Sequence, residues 1–171
     1  MAGPTDWPDD IFDRLMRARV RQVGYVPDAG HARLIQRCQD EPTIRDVVLT
    51  SEQEGVALSA GAWLGGERSA VLMQSSGVGN CINMLTLTTV CRFPLVLLVT
   101  MRGEWGEFNP WQVPMGSTTE SVLRLCDVHV FRADEPGAVA ETVEAALDHA
   151  FNSQAAVAVL LSQRLVGRKQ W

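Results

Sequence analysis

VVLTSEQEGVALSAGAWLGGERSAVLMQSSGVGNCIN, residues 47–83, decides the fold. Val47 to Leu49 read as a short buried strand. Glu52 follows at its end, where a helix of small and apolar residues begins (Val56, Ala57, Leu58, Ala60, Ala62, Leu64). Gly65 and Gly66 close that helix. Ala70 to Gln74 form a second apolar strand, and Ser75, Ser76, Gly77 and Gly79 predict a tight turn into the next helix. An acid and a glycine turn thus stand at the ends of two neighbouring strands, and in open α/β sheets ligands bind in such carboxyl-end crevices.

The pattern extends in both directions. Thr5 or Asp6 can cap a first helix starting near Pro8, with Ile11, Leu15 and Met16 inward and Asp9, Asp10, Asp13, Arg14 and Arg17 outward. Gln22 to Val26 form a strand that ends in the turn Pro27-Asp28-Ala29-Gly30-His31, and His31 starts a helix carrying Leu34, Ile35 and Cys38. Beyond the glycine turn, a helix from about Val78 to Val90 precedes Pro94 to Thr100, the most hydrophobic strand. A continuous apolar run of this kind belongs mid-sheet, covered on both faces. Met101 to Ser117 lose regularity and read as a long loop with Trp105, Phe108 and Trp111, and long loops in compact domains tend to be functional. A helix from about Thr118 to Leu125, a strand around Val128 to Phe131, a helix from about Pro136 to Phe151 and a strand Ala155 to Leu161 complete the alternation. Such alternation predicts a three-layer, doubly wound α/β fold, a parallel sheet with helices on both faces. The basic tail Arg164 to Trp171 is expected to be loose or docked on a partner.

A chain of 171 residues with 46% hydrophobic and 20% charged side chains fits one domain, residues 1–171, with a full core. The net charge of -5 and scattered Lys and Arg argue against nucleic acid. Cys38, Cys81, Cys91 and Cys126 show no metal-type spacing and read as buried reduced thiols. The acidic, proline-bearing start is unlike a secretory signal, and the apolar runs are too short to cross a bilayer. The expected location is the cytoplasm.

At Glu52 the sequence resembles a known family. SEQEGVALSAG, with an acid nine positions before Gly61, is similar to the pyrimidine-binding domain of thiamine diphosphate enzymes. QSSGVGN at 74–80 resembles the QNSGLGN turn of the branch containing the sulfopyruvate and phosphonopyruvate decarboxylases, with Ser75 where that pattern more often has Asn. The likeness extends over VPD at 26–28, LMQ at 72–74 and RG at 102–103. GEFNPWQVPMGSTTE looks like the alpha subunit of sulfopyruvate decarboxylase. The family holds its diphosphate through magnesium in a second domain marked by GDG, which this sequence lacks. The resemblance therefore implies a split enzyme, a hetero-oligomer in which a beta subunit supplies magnesium and diphosphate binding, so that the isolated chain should be inert.

The resemblance also implies roles. Glu52, poorly hydrated, would share a proton with the aminopyrimidine and so promote ylid formation, giving the cofactor the electron sink that decarboxylation of a 2-oxo acid needs. Glu54 would take a supporting or solvent-facing place. Gln74, Ser75, Ser76, Gly77, Gly79 and Asn80 would line the cofactor pocket. Asp28, His31, Arg102 and Gln112 would face the substrate, with His31 able to donate a proton and Arg102 matching a sulfonate or phosphonate in fork geometry. His31 as an ordinary helix-start histidine and Arg102 as an ion-pair partner remain open. So do interface and pocket roles for Trp105, Phe108 and Trp111. The substrate expected is sulfopyruvate; phosphonopyruvate, an aryl or alkyl 2-oxo acid, a carboligase subunit, and a non-catalytic flavodoxin-like binding module are the alternatives.

Overall fold

Strand and helix alternate along the chain, and every strand pairs in parallel with its neighbours. The computed structural model describes residues 6–167. Helix α1 (Trp7–Arg17) leads to β1 (Val20–Tyr25), α2 (Ala32–Gln39), β2 (Arg45–Val48), α3 (Glu52–Leu64), β3 (Arg68–Gln74), α4 (Ser75–Cys91) and β4 (Leu95–Thr100). Then come α5 (Val113–Leu125), β5 (His129–Ala133), α6 (Pro136–Ser153), β6 (Ala156–Leu161) and a short α7 (Gln163–Val166). The strands form one six-stranded sheet in the order β2-β1-β3-β4-β6-β5, the doubly wound arrangement expected.

Period-two alternation divides the sheet between two cores. Ala70, Leu72, Val96, Leu98, Val157 and Val159 face α1, α2 and α6. Val71, Met73, Leu97, Val99, Ala158 and Leu160 face α3, α4 and α5. All six residues of β4 are buried, as a mid-sheet strand requires. Among the described residues no helix is long and apolar enough to cross a membrane.

The structure corrects the sequence reading in several places. Gln74 passes straight into α4, so Ser75 to Asn80 are the first helical turns and not a tight turn of their own. Neither Gly77 nor Gly79 has a positive φ; both are glycines for space, as the site shows. Helix α5 begins at Val113, five residues before the expected Thr118, because Pro114 suits a first helical turn that needs no N–H there. Gly116 lies inside it, where a Cβ would stand 1.9 Å from the Arg102 carbonyl oxygen. Asp6 is the N-cap residue of α1 but makes no side-chain cap bond, and Thr5 lies outside the described residues. Part of the expected loose tail is ordered as α7, while 168–171 lie outside the described residues. Of the four cysteines, Cys38 and Cys81 are buried, whereas Cys91 is exposed at the end of α4 and Cys126 is half-buried. Burial pushes the Cys38 and Cys81 thiols up to about 12, so both stay protonated and inert.

Candidate functional site

Glu52 opens α3, one residue past the N-cap Ser51, and is 9% exposed. An acid suits a first helical turn because the free N–H groups and the dipole favour negative charge there. Its side chain leaves α3 for α4. Oε2 accepts a 2.8 Å hydrogen bond from Asn80 Nδ2, while Cγ, Cδ and Oε1 lie where the Cβ of any larger residue at 77 would be, 2.5 Å from it. Gly77 is therefore the seat of the carboxyl. Gly79 has the same purpose toward α5, since a Cβ there would meet Met115 Sδ at 3.2 Å. Glu52 Oε1 has no hydrogen bond among the described residues and is not sealed from solvent. Glu54 is exposed and accepts from the Thr50 backbone N–H, a supporting place in the helix start.

The other expected residues form a second group at the ends of β1, β3 and β4. Asp28 Oδ1 accepts from Gln74 Nε2 at 3.0 Å; Oδ2 accepts from Thr100 Oγ1 at 2.7 Å and from Gly30 N at 3.1 Å. Ser76 Oγ donates to Gln74 Oε1 at 3.0 Å, which joins this network to α4. Ser75 is fully buried, its Oγ accepting from the Arg102 N–H. Thr100, the last residue of β4, belongs to the group but reads in the sequence as core.

His31 is 1% exposed beneath these strand ends. Its Nε2 lies 3.0 Å from the Leu98 carbonyl oxygen and 3.3 Å from that of Met73. Two acceptors require the proton on Nε2, so Nδ1 carries the lone pair, and Nδ1 is buried without a partner. Burial holds its pKa below the ordinary histidine value, against the pull of Asp28. The structure thus places the imidazole across two strands, with its N–H spent on backbone.

Arg102 is held as a fork by a residue the sequence reading did not single out. Glu107 Oε2 accepts from Arg102 Nε at 2.7 Å and Oε1 from Nη2 at 2.6 Å. Glu107 also accepts from Gly103 N, Asn109 N and Gln163 Nε2. These donors, Arg102 first, hold its carboxyl down at about 2. Gln112 is half-buried at the start of α5, and its Oε1 is buried without a partner. Beside it, Ser76, Pro110, Trp111, Pro114, Met115 and Thr118 line an open apolar groove of about 770 Å³. Trp111 is 84% exposed and Trp105 43%.

The structure therefore brings Glu52, Gly77 and Asn80 together, and separately Asp28, Gln74, Ser76 and Thr100, with Ser75 and Arg102 linked through the backbone. The acid seated on a glycine lies at the carboxyl end of a doubly wound sheet, where α/β domains bind ligands. The family model for "Thiamine pyrophosphate enzyme, N-terminal TPP binding domain" matches residues 6–110, and the chain belongs to that family. It is 35% identical over 157 residues to sulfopyruvate decarboxylase subunit alpha of Methanothermobacter thermautotrophicus, covering 91% of this chain and 95% of that one. The corresponding subunit of Methanocaldococcus jannaschii is 29% identical over 88% of this chain and 89% of its own length. Phosphonopyruvate decarboxylase of Streptomyces viridochromogenes is 39% identical over 70% of this chain, which spans 30% of that longer protein. Among solved structures, a 2-oxoglutarate:ferredoxin oxidoreductase from Magnetococcus marinus superimposes with a TM-score of 0.72 at 12% identity, over 96% of this chain and 31% of that chain, a likeness of fold.

Proposed function

We propose that this chain, as a single pyrimidine-binding domain, is the alpha subunit of a thiamine diphosphate-dependent decarboxylase that converts sulfopyruvate to sulfoacetaldehyde and carbon dioxide. The observation that carries the reading is the carboxyl of Glu52, seated on Gly77 with Oε2 occupied by Asn80 and Oε1 uncommitted. The relatives named sulfopyruvate decarboxylase subunit alpha support the substrate.

Thiamine diphosphate, when bound, supplies the electron sink that loss of carbon dioxide from a 2-oxo acid requires. The residues present fit its pyrimidine ring. An amide donor on Oε2 leaves Oε1 as the oxygen that would hydrogen-bond the ring. Gly77 fixes where that oxygen stands, and Asn80 keeps the carboxyl from turning. Partial burial keeps competing water away from the shared proton. Gln74, Ser75, Ser76 and Gly79 complete the wall on the α4 side, and Asp28 ties the ends of β1, β3 and β4 so that the wall does not shift. His31 acts from below as a positioning residue, and Gln112 faces the substrate from the start of α5.

The diphosphate and its magnesium fall to a beta subunit, a reading supported by the relatives named subunit alpha. Helix α4 supports such a partner. None of its 17 residues is charged, and Ile82 and Val90 are exposed on it beside the polar Asn83, Thr86 and Thr89, an apolar component that a partner would cover. The proposed assembly is a cytoplasmic hetero-oligomer.

The test is carbon dioxide release from sulfopyruvate, phosphonopyruvate, pyruvate and phenylpyruvate, with thiamine diphosphate and magnesium, by the chain with and without its co-expressed partner. Release that needs both chains, favours sulfopyruvate and drops severely in Glu52→Gln is expected. A full rate in that variant would remove Glu52 from the mechanism. The apolar groove at Trp111 favours one second reading, in which an aryl or alkyl 2-oxo acid is the substrate; a preference for phenylpyruvate would establish it.

A further inference from the structure

Beside the Asp28 network lies a crevice of about 190 Å³ lined by Asp28, Ala29, Gly30, Thr100, Arg102 and the residues Val166 and Gly167 after β6. Arg102 is its only cation among the described lining residues, and by fork geometry it is the natural group to hold a sulfonate or phosphonate. Its state in the fold contradicts that use. The Nε and Nη2 edge is bound at both nitrogens by Glu107, and the two side chains are only 12% and 4% exposed. Nη1 alone has no hydrogen bond among the described residues.

We propose that Glu107 is a specificity-determining residue that cancels Arg102, so that this crevice accepts an uncharged or donor-bearing group and refuses an anion. Among the described residues two carboxylates, Asp28 and Glu107, stand against one guanidinium here. A sulfonate or phosphonate would have to compete with a buried carboxylate that already has five donors and is covalently tethered five residues away. The pair does not yield easily. Gly103 N and Asn109 N hold Glu107 from its own loop, and Gln163 holds it from the start of α7. The Arg102 backbone is fixed on its other side by Ser75 Oγ and by close packing against Gly116. Two other arginines described at this end are engaged: Arg132 forks onto Glu104 at 2.8 and 2.9 Å, and Arg164 stacks on Trp105. An anionic substrate tail would therefore need a cation other than Arg102. The assignment of Glu107 stands on geometry and charge; only the naming of the tail rests on the proposed function.

The test follows the Arg102 Nε–H signal of the full chain by NMR while methanesulfonate or methylphosphonate is added. The wild-type chain is expected to show no saturable change across the millimolar range, whereas Glu107→Gln, which keeps the shape and removes the charge, gains a saturable shift about tenfold tighter or more. Saturable binding to the wild type that Arg102→Met abolishes would overturn the proposal. Should Glu107→Gln fold poorly, Arg102→Met/Glu107→Met removes the pair as a unit, a change that buried ion pairs tolerate. In the reconstituted complex its ratio of kcat/KM for sulfopyruvate over pyruvate is expected to stay within about threefold of wild type, since cancelled charge contributes little discrimination. A tenfold fall confined to sulfopyruvate would again overturn it. Failure of the complex to decarboxylate either acid would refute the proposed function, while the titration of the wild-type chain would still decide the role of Glu107.

Discussion

Replacing Gly77 by alanine separates what the fold needs from what the site needs. The added Cβ would lie 2.5 Å from Cγ, Cδ and Oε1 of Glu52, about 1 Å inside ordinary carbon contact. What it meets is the free end of a side chain, so the carboxyl swings away and the backbone stays. The swing loses the 2.8 Å bond from Asn80, a loss of about 1 kcal/mol for a typical hydrogen bond. Alanine in place of glycine returns up to about 1 kcal/mol of helix propensity, somewhat less in a first turn such as this. The two nearly offset, so stability should stay within about 1 kcal/mol of wild type. Turnover should not, because displacing a reacting group by about 1 Å costs on the order of a hundredfold. Urea unfolding of the chain gives the first quantity, and carbon dioxide release by the assembled enzyme gives the second. An unchanged rate would show that the carboxyl need not rest on Gly77, and the account of the site would fail. A loss above roughly 3 kcal/mol, the scale of true overpacking, would show that the carboxyl cannot swing.

Other perturbations address other parts of the molecule. Glu107 titrates at about 2 in the fold against an ordinary 4.5; a lowered pKa stabilises above the unfolded value, and that contribution disappears as pH falls from about 4.5 through about 2. The difference corresponds to about 3 kcal/mol. Urea midpoints should therefore fall steeply below pH 4.5 in wild type and much less in Glu107→Gln, and parallel curves would contradict the clamp. His31→Leu removes the imidazole bridge between Met73 and Leu98, so it should destabilise the chain by about 1–3 kcal/mol; an unchanged urea midpoint would show that the bridge holds nothing. Ile82→Asp puts a charge on the outer face of α4, where Ile82 is 43% exposed. The chain should fold within about 0.5 kcal/mol of wild type and assemble with its partner at least about tenfold more weakly. Normal assembly by sedimentation would mean that this face is not covered.

Much of the fold was legible because it rests on local pattern. The apolar run of Leu95 to Val99 marks the middle of the sheet, and the strand-to-helix junction at Glu52 is where α3 begins. What escaped depends on contacts between distant residues. Gly77 and Gly79 read as turn punctuation, since glycine most often marks a turn, but here they make room for Glu52 and Met115 inside a helix. Glu107 sits in an irregular loop with no periodicity around it, and one of its partners, Gln163, is 56 residues away. No short-range signal could find that pair. His31 reads either as a substrate-facing proton donor or as an ordinary helix-start histidine. The short turn Ala29–His31 instead folds it under the strand ends, where the two backbone acceptors make a buried imidazole tolerable. Thr100 was absorbed into an apolar run, and only the proximity of Asp28 shows that its hydroxyl is used.

The two helical layers were written for different surroundings, and the site lies on the less water-adapted one. On the α1 and α2 side, Asp9 pairs with Arg33 and Arg37 across the outer surface, a face suited to water. On the other side α3 carries charge only in its first turn, at Glu52 and Glu54, and α4 carries none. Part of this surface is used where α3 packs on α4 and α4 on α5, yet Leu64, Ile82 and Val90 remain exposed on it. Glu52 and Asn80 join these two helices, and the Trp111 groove opens beside the start of α4 through Ser76. The acid and the apolar surface thus belong to one face. Under the proposed function, the Glu52 carboxyl needs water excluded on the open side as well as the buried side. This chain excludes it on one side only, by Gly77 and the packing of α3 against α4. The uncharged surface around the remaining opening is what a second protein would need in order to close it.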